Sequence, residues 1–493
     1  MMDIKNLING EWCVQSGKET FDIINPCDGQ TVEGSFKNST NDDVDAAVAA
    51  AKKAFKTWSQ LPVAKRCRIL FHCKELLENN LERIAEYLVK ENGKTMAEAE
   101  GELRRGIEVV EFAAGMPSLM KGDIVEGIAA NVDGLIIREP LGVVTGACPF
   151  NFPAMIPLWM FPVAIACGNT FVLKPSEKCP ISATMIAEIF RQGGLPEGVL
   201  NVVQGGGETF KALVSHEDVQ AVSFVGSTPV AKSVWHSGTT LNKRVQSLGG
   251  AKNHIIIMPD ADSEQTVKAI IGSSFGCAGA RCMASSVLVL VGDADKLLDD
   301  IIQAAKNIKL GNGLDVNTQM GPVISAAHKK RVEDYIQIGF NEGAEVLLDG
   351  RGVTVKGYEK GSFVGPTLLG KVTSEMRVAK EEIFGPVLSV MRCDTLQQAI
   401  DIANTSEFGN GASIFTDSGS SARQFRVGIQ VGMVGINVGV PAPMAFFSFG
   451  GRKNSLFGDL RAFGPDAVEF YTMKKTVVER WFGNVKTGSI WSK

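Results

Sequence analysis

Gly142-Val-Val-Thr-Gly146, Thr170-Phe-Val-Leu173, Val199-Leu-Asn-Val-Val203 and Ala221-Val-Ser-Phe-Val225 are four short apolar runs with the length of buried strands. Helical segments such as Ile181 to Gln192 and Thr209 to Ser215 lie between them. Strands alternating with helices imply βαβ units and a parallel sheet covered on both faces. The expectation is an α/β fold with a doubly wound, nucleotide-binding parallel sheet. A second αβ series opens at His254-Ile-Ile-Ile-Met258 and continues through Ser286-Val-Leu-Val-Leu-Val291. The Gly-rich Val431-Gly-Met-Val-Gly-Ile-Asn-Val438 stands at its far end, so a separate catalytic domain is predicted.

Upstream, Thr40-Asn-Asp-Asp43 is a helix-capping signal, and Val44, Ala47, Val48, Ala51, Phe55 and Trp58 repeat at helical spacing behind it. A second helical region is read from Arg66 to about Val89, and a third from Met96 to Ala114, carrying Arg104 and Arg105. No charged residue occurs between Leu141 and Leu173, a length that could suggest a membrane span. Pro149, Pro153, Pro157 and Pro162 recur through it, however. Each proline inside a helix costs about 3 kcal/mol, so two buried strands around a loop and a short covered helix are expected instead.

At 493 residues the chain is too long for one ordinary domain. Its 45% hydrophobic and 21% charged residues are those of a soluble globular protein. A net charge of -4 argues against nucleic acid as the main partner. Ten cysteines without CxxC pairs and five histidines give no zinc-ligand spacing, so no metal is expected. Scattered cysteines behind an N-terminus without a secretory or transit pattern suggest a reducing, cytoplasmic setting.

Three motifs bear on chemistry. Phe224-Val-Gly-Ser-Thr-Pro-Val-Ala231 follows a strand and opens a helix, where backbone N–H groups can meet a pyrophosphate. Read alone it is more often an ordinary βα turn. Leu173-Lys-Pro-Ser-Glu177 sits at a strand's C-terminal end, where a carboxylate can accept ribose hydroxyls but repels a 2′-phosphate. Cys282 lies among small residues, Cys277-Ala-Gly-Ala-Arg-Cys-Met-Ala-Ser, which leave space for a carbonyl, and Arg281 is expected to lower its pKa. A lone cysteine is otherwise a packing residue.

With Pro149-Phe-Asn-Phe-Pro, Gly279-Ala-Arg-Cys-Met and the run Gln246-Ser-Leu-Gly-Gly-Ala-Lys-Asn253 added, the chain from about residue 5 to 480 resembles the NAD(P)-dependent aldehyde dehydrogenase superfamily. The resemblance implies a doubly wound NAD-binding domain (1-118 and 141-247), an α/β catalytic domain (248-466) and a small β oligomerisation flap (119-140 and 467-493). It implies a homo-oligomer, dimer or tetramer. Cys282 would be the nucleophile and the Asn151 amide, with the Cys282 N–H, the oxyanion donor. Gly226 and Ser227 would form the cofactor turn. Lys174 and Glu177, with Lys178 beside them, would hold the adenosine ribose, which favours NAD over NADP. Glu382 and Phe384 in Glu381-Glu-Ile-Phe-Gly-Pro-Val387 would position the nicotinamide ribose, and Cys148, Phe150 and Gly249 would approach the cofactor through backbone. Two departures stand out: Ala231 and Phe150 replace a glycine and a tryptophan usual in the superfamily.

Ser247 is the third departure. Most of the superfamily carries there a glutamate that activates water against the acyl-enzyme, and a serine is no general base near neutral pH. Coenzyme A is therefore the expected acceptor. Arg281 and Arg105 offer a guanidinium pair for a carboxylate at the substrate's far end. The segments around Arg105, Ser247 and Cys282, with Ser448-Phe-Gly-Gly-Arg and Phe457-Gly-Asp-Leu, resemble the methylmalonate-semialdehyde dehydrogenase branch. That branch acylates coenzyme A with loss of carbon dioxide, in valine and inositol breakdown. A hydrolytic aldehyde dehydrogenase and a non-catalytic binding protein are the competing readings.

Overall fold

The structure is a computed structural model and describes residues 1–482; residues 483–493, which the expected flap included, lie outside it. An eight-stranded sheet runs in the order Leu456–Phe457, Arg244–Leu248, Val219–Val225, Val143–Ala147, Thr170–Lys174, Leu200–Val202, Asn6–Ile8 and Glu11–Cys13. Its five central strands are parallel. The chain starts at Val143–Ala147, winds outward through Thr170–Lys174 to Leu200–Val202, then returns to the other side for Val219–Val225 and Arg244–Leu248. Winding reverses between Val143–Ala147 and Val219–Val225, the point at which doubly wound sheets open a crevice for ligands.

The apolar stretch after Leu141 resolves as strand, loop, helix and strand. Its helix, Met155–Ala166, is buried on every side and accommodates Pro162. A helix apolar all round belongs inside a large protein or a membrane; among the described residues no helix is long and apolar enough to cross one.

A seven-stranded sheet follows the order Glu345–Leu348, Thr367–Gly370, Val387–Cys393, Ser285–Val291, Asn253–Ile257, Gly411–Phe415 and Met433–Ile436, with only its first edge strand antiparallel. The segment 248–466 is not confined to this sheet. Its Leu456–Phe457 returns to pair antiparallel with Arg244–Leu248. A third sheet is antiparallel throughout: Ile124–Ala129, Val132–Pro140 and Thr472–Arg480, with Pro140 opposite Thr472 and Val132 opposite Arg480. It leaves Ile124, Val125, Ile128, Met473 and Val478 exposed.

Helices Asn41–Trp58 and Met96–Ala114 lie where the sequence places them, each opened by a capping box, Thr40 with Asp43 and Thr95 with Glu98. The single helix read from Arg66 to about Val89 is in fact two, Val63–Asn79 and Leu81–Asn92. Asn80 leaves helical geometry and its side-chain amide donates to the Leu76 carbonyl.

Candidate active site

The two large sheets present opposite ends to one another. Cys148 follows Val143–Ala147 and Gly226 follows Val219–Val225, so both stand at the C-terminal ends of the switch-point strands. Cys282 immediately precedes Ser285–Val291, at the N-terminal edge of the other sheet. A cavity of about 390 Å³ opens beside Cys282. Arg105, Arg281, Glu98, Phe152 and Trp159 line it with Val440, Ala442 and Phe449. The structure therefore brings the expected nucleophile and both expected carboxylate-binding arginines to one cavity.

The Cys282 loop is pinned by two asparagines that its sequence neighbourhood does not announce. Asn253 and Asn410 both donate side-chain N–H groups to the Cys282 carbonyl, at 2.9 and 3.0 Å. Asn253 also donates to the Ala284 carbonyl and accepts from the Gly411 N–H. Just before the loop, Cys277 and Ala278 take left-handed φ values of 51° and 50°, a strained geometry for residues with a Cβ. The Cys277 N–H donates to Glu98 Oε1 at 2.6 Å, which helps to hold it.

Burial pushes the Cys282 thiol up to about 12, and the Glu382 carboxylate adds to the rise; the Arg281 charge lowers it in the expected direction but is outweighed. Arg281 opposes this only weakly, behind the backbone N–H groups of Cys282 and Met283. The reason is the engagement of its guanidinium. Arg281 donates to Glu98 Oε1 at 3.1 Å, to Cys277 Sγ at 3.3 Å and to the Gly272 carbonyl at 3.2 Å. Arg105 differs. It is exposed and has one long bond, to the Ala442 carbonyl at 3.3 Å.

Asn151 is 4% exposed, and its main-chain carbonyl accepts from Lys94 Nζ at 2.8 Å. Its Oδ1 is buried without a hydrogen-bond partner among the described residues. Asn151 does not line the cavity beside Cys282 but a small neighbouring pocket, with Asn92, Lys94, Phe150 and with Cys277, which both pockets share. Its unpartnered buried acceptor calls for a water or a ligand group.

On the crevice side, Lys174 Nζ donates to Glu177 Oε2 at 3.1 Å and to the Gly205 carbonyl at 2.9 Å. Burial raises the Glu177 carboxyl, but the Lys174 charge and hydrogen bond, the Glu177 backbone N–H and the Lys178 charge together hold it below the usual range. Lys178 Nζ lies 5.1 Å above the Phe150 ring. Phe150 meets Phe384 edge-on, and Phe384 itself takes φ 63°. His328 Nε2 lies 2.7 Å from the Phe384 carbonyl oxygen and braces that turn. Glu382 is folded against the Gly249-Gly250-Ala251 turn and accepts from the Ala251 N–H at 3.0 Å. Burial raises its carboxyl to about 7. Ser227 occupies the N-cap of helix Thr228–Thr240 without using its side chain as a cap, and Pro229 has no N–H, so the Thr228 and Val230 N–H groups are those left uncapped for an anion. Gly249 is crowded by its own chain, since a Cβ there would stand 2.7 Å from the Asn454 carbonyl oxygen.

Ser247 is fully buried, and its hydroxyl donates to the Ala231 carbonyl at 2.8 Å. The nearby acids are committed elsewhere: Asp260 accepts from Thr416 Oγ1, and Asp262 caps helix Ser263–Phe275. No group of three or more histidine, cysteine or acidic side chains that could hold a metal occurs among the described residues.

The comparison with known proteins agrees with this architecture. The model of the aldehyde dehydrogenase family matches residues 12–477. A malonate-semialdehyde dehydrogenase of Geobacillus thermodenitrificans is 52% identical, over 97% of this chain and 99% of its own. The structure of a methylmalonate-semialdehyde dehydrogenase from Oceanimonas doudoroffii superimposes with a TM-score of 0.96 at 47% identity, covering 98% of this chain and 99% of that one. A Sinorhizobium meliloti protein assigned as a methylmalonate-semialdehyde dehydrogenase, in complex with NAD, gives 0.97 at 43%, covering 99% of each chain. The chain belongs to the aldehyde dehydrogenase family.

Proposed function

We propose that this protein oxidises malonate semialdehyde or its methyl homologue with NAD and passes the acyl group to coenzyme A, with loss of carbon dioxide. The observation that carries the reading is the single cavity holding Cys282 with Arg105 and Arg281, combined with a serine committed to structure where water activation would need a carboxylate. The similarity to malonate- and methylmalonate-semialdehyde dehydrogenases supports the substrate class.

The crevice residues fit NAD. Glu177 offers a carboxylate to ribose hydroxyls with Lys174 fixing it, and the uncapped N–H groups at Thr228 and Val230 suit a pyrophosphate. Glu382 and Phe384 would hold the nicotinamide ribose, with Cys148, Phe150 and Gly249 approaching through backbone. When bound, NAD supplies the hydride acceptor.

The chain supplies the rest. Cys282, as thiolate, attacks the aldehyde carbon to give a thiohemiacetal. The Asn151 carboxamide and the Cys282 N–H would donate to the oxygen on which charge develops. Loss of one such donor typically slows acyl chemistry by about 10²–10³. Once hydride has left the thiohemiacetal, the acyl group rests on Cys282 as a thioester. Ser247 offers no proton acceptor for water, so a thiol of greater intrinsic nucleophilicity takes the acyl group. Arg105 receives the carboxylate of the semialdehyde, while Arg281 stays engaged with Glu98, Cys277 and the Gly272 carbonyl.

The test is NADH formation from malonate or methylmalonate semialdehyde, with and without coenzyme A, and identification of the product. Steady turnover only with coenzyme A, giving acetyl-CoA or propionyl-CoA, is the expected result. Equal turnover without it, giving a free acid, would refute the acceptor. The same fold also suits an oligomer, since the third sheet leaves a row of apolar side chains exposed.

A further inference from the structure

Between helices Leu81–Asn92 and Met96–Ala114 the chain carries a lysine that meets no water. Lys94 and Glu102 form an ion pair in which both side chains are 0% exposed. Taking two charges out of water is unfavourable unless every remaining donor and acceptor finds a partner. Here they do, and the partners all lie on one segment. Lys94 Nζ donates to the Asn151 carbonyl at 2.8 Å. Glu102 Oε1 accepts from the Ala154 and Met155 N–H groups at 2.8 and 3.0 Å. The ammonium also sits 4.5 Å above the Phe152 ring. Two residues before Lys94, Asn92 donates its side-chain amide to the Phe150 carbonyl at 2.8 Å.

Residues 150 to 155 are thus gripped through their main chain by residues 92 to 102. Between Asn92 and Lys94, Gly93 takes φ 91°, and a Cβ there would meet Pro322 at 2.8 Å and Pro26 at 2.9 Å. Only glycine fits at the base of the grip. The same helix reaches the nucleophile's loop as well, because Glu98 holds Cys277 and Arg281. One rigid helix therefore sets the spacing between the Asn151 amide and the Cys282 loop.

We propose that the buried Lys94–Glu102 pair is a positioning device for the oxyanion-side amide: it fixes the Asn151 main chain, and so the aim of its carboxamide, before substrate enters. The inference rests on the reading of Asn151 as oxyanion donor. An apolar pair of the same volume would fill this space without an ion's desolvation cost. It would not donate to the Asn151 carbonyl.

The test is the pre-steady-state burst of NADH when enzyme holding NAD is mixed with malonate semialdehyde. Lys94→Met/Glu102→Gln keeps the site neutral, fills the lysine's volume and leaves an acceptor for Ala154 and Met155. Its burst is expected to slow by about 10–100-fold, less than the roughly 10²–10³ of a donor removed outright, because the amide is misaimed rather than absent. Alkylation of Cys282 by iodoacetamide needs no oxyanion donor and should keep its rate. Asn151→Ala should then cost much less in the double-variant background than in the wild type, because a misaimed amide has little left to lose. Should the double variant fail to fold, Glu102→Gln alone removes only the anion that holds the ammonium, and is expected to slow the burst without altering alkylation. A normal burst in either variant overturns the proposal. So does an Asn151→Ala penalty equal in both backgrounds, the mark of a purely structural role. A normal burst in Asn151→Ala itself would instead remove the underlying reading of Asn151.

Discussion

The two arginines of the cavity are not equivalent, and Arg105→Met should show it. Arg281 already spends its guanidinium on Glu98, Cys277 and Gly272. Arg105 has one weak contact, at 3.3 Å, and no carboxylate partner among the described residues. It is the cation free to receive a substrate carboxylate. A hydrogen bond to a charged group contributes about 1.5–3 kcal/mol, which at 1.36 kcal/mol per tenfold corresponds to about 10–150-fold in kcat/KM. Arg105 is exposed, so water competes and the lower part of that range is expected. The contact forms away from the reacting carbon and persists through the reaction, so the loss should fall on KM with kcat little changed. The assay compares malonate semialdehyde with propanal, which has no carboxylate. Arg105→Met should weaken the first and leave the second unchanged. Arg281→Met should slow both, because Glu98 and Cys277 lose the group that ties the nucleophile's loop to helix Met96–Ala114. Equal losses on both substrates for Arg105→Met would refute the assignment of free and engaged arginines.

Two further outcomes follow from the geometry around the acyl group. Ser247→Ala removes the bond to the Ala231 carbonyl and should lower stability by about 1 kcal/mol in chemical denaturation, while turnover with coenzyme A stays unchanged. A loss of that turnover would mean the hydroxyl takes part in the reaction. Because the Cys282 thiol is raised to about 12, its thiolate fraction grows tenfold per pH unit below that value. Inactivation of the NAD-free enzyme by iodoacetamide should therefore climb steadily from about pH 7 to about pH 10, and a plateau in that interval would show an acidic thiol instead.

Local periodicity carries the parts of the fold that are legible in the sequence. The apolar runs at 142–146, 170–173 and 221–225 each sit within or against a strand of the doubly wound sheet, and Met96–Ala114 has the bounds its pattern gives. The break at Asn80 leaves no such trace, since Leu76, Leu77, Leu81 and Ile84 continue one apolar face across it. The strands before residue 40 are two to six residues long, too short for a period to register. The site divides in the same way. Cys282, Asn151 and the arginines stand in recognisable motifs. Asn253, Asn410, Glu98, Lys94 and Glu102 act across the chain, with Asn410 reaching a carbonyl 128 residues away. Polar residues with distant partners have no local signature, which is why the elements that orient the site emerge only from the fold. The burial that outweighs the Arg281 charge at the thiol is likewise a product of the fold rather than of the local sequence.

Ser247 and Ala231 are sixteen residues apart and look like separate departures in the sequence, yet a hydrogen bond joins them. Both are 0% exposed. A side chain at 247 leaves its strand toward helix Thr228–Thr240, and there the serine hydroxyl occupies the space against the Ala231 carbonyl. A longer acid would have to bend around that turn or press it outward, carrying a carboxylate into a region without water and with one acceptor already present. An uncompensated charge in such a place is strongly unfavourable. On the proposed reading, the lack of a water-activating base would be built into the contact between strand Arg244–Leu248 and helix Thr228–Thr240. The turn that would hold the pyrophosphate opens that same helix, so the proposed cofactor site and the proposed choice of acyl acceptor would share one packing contact.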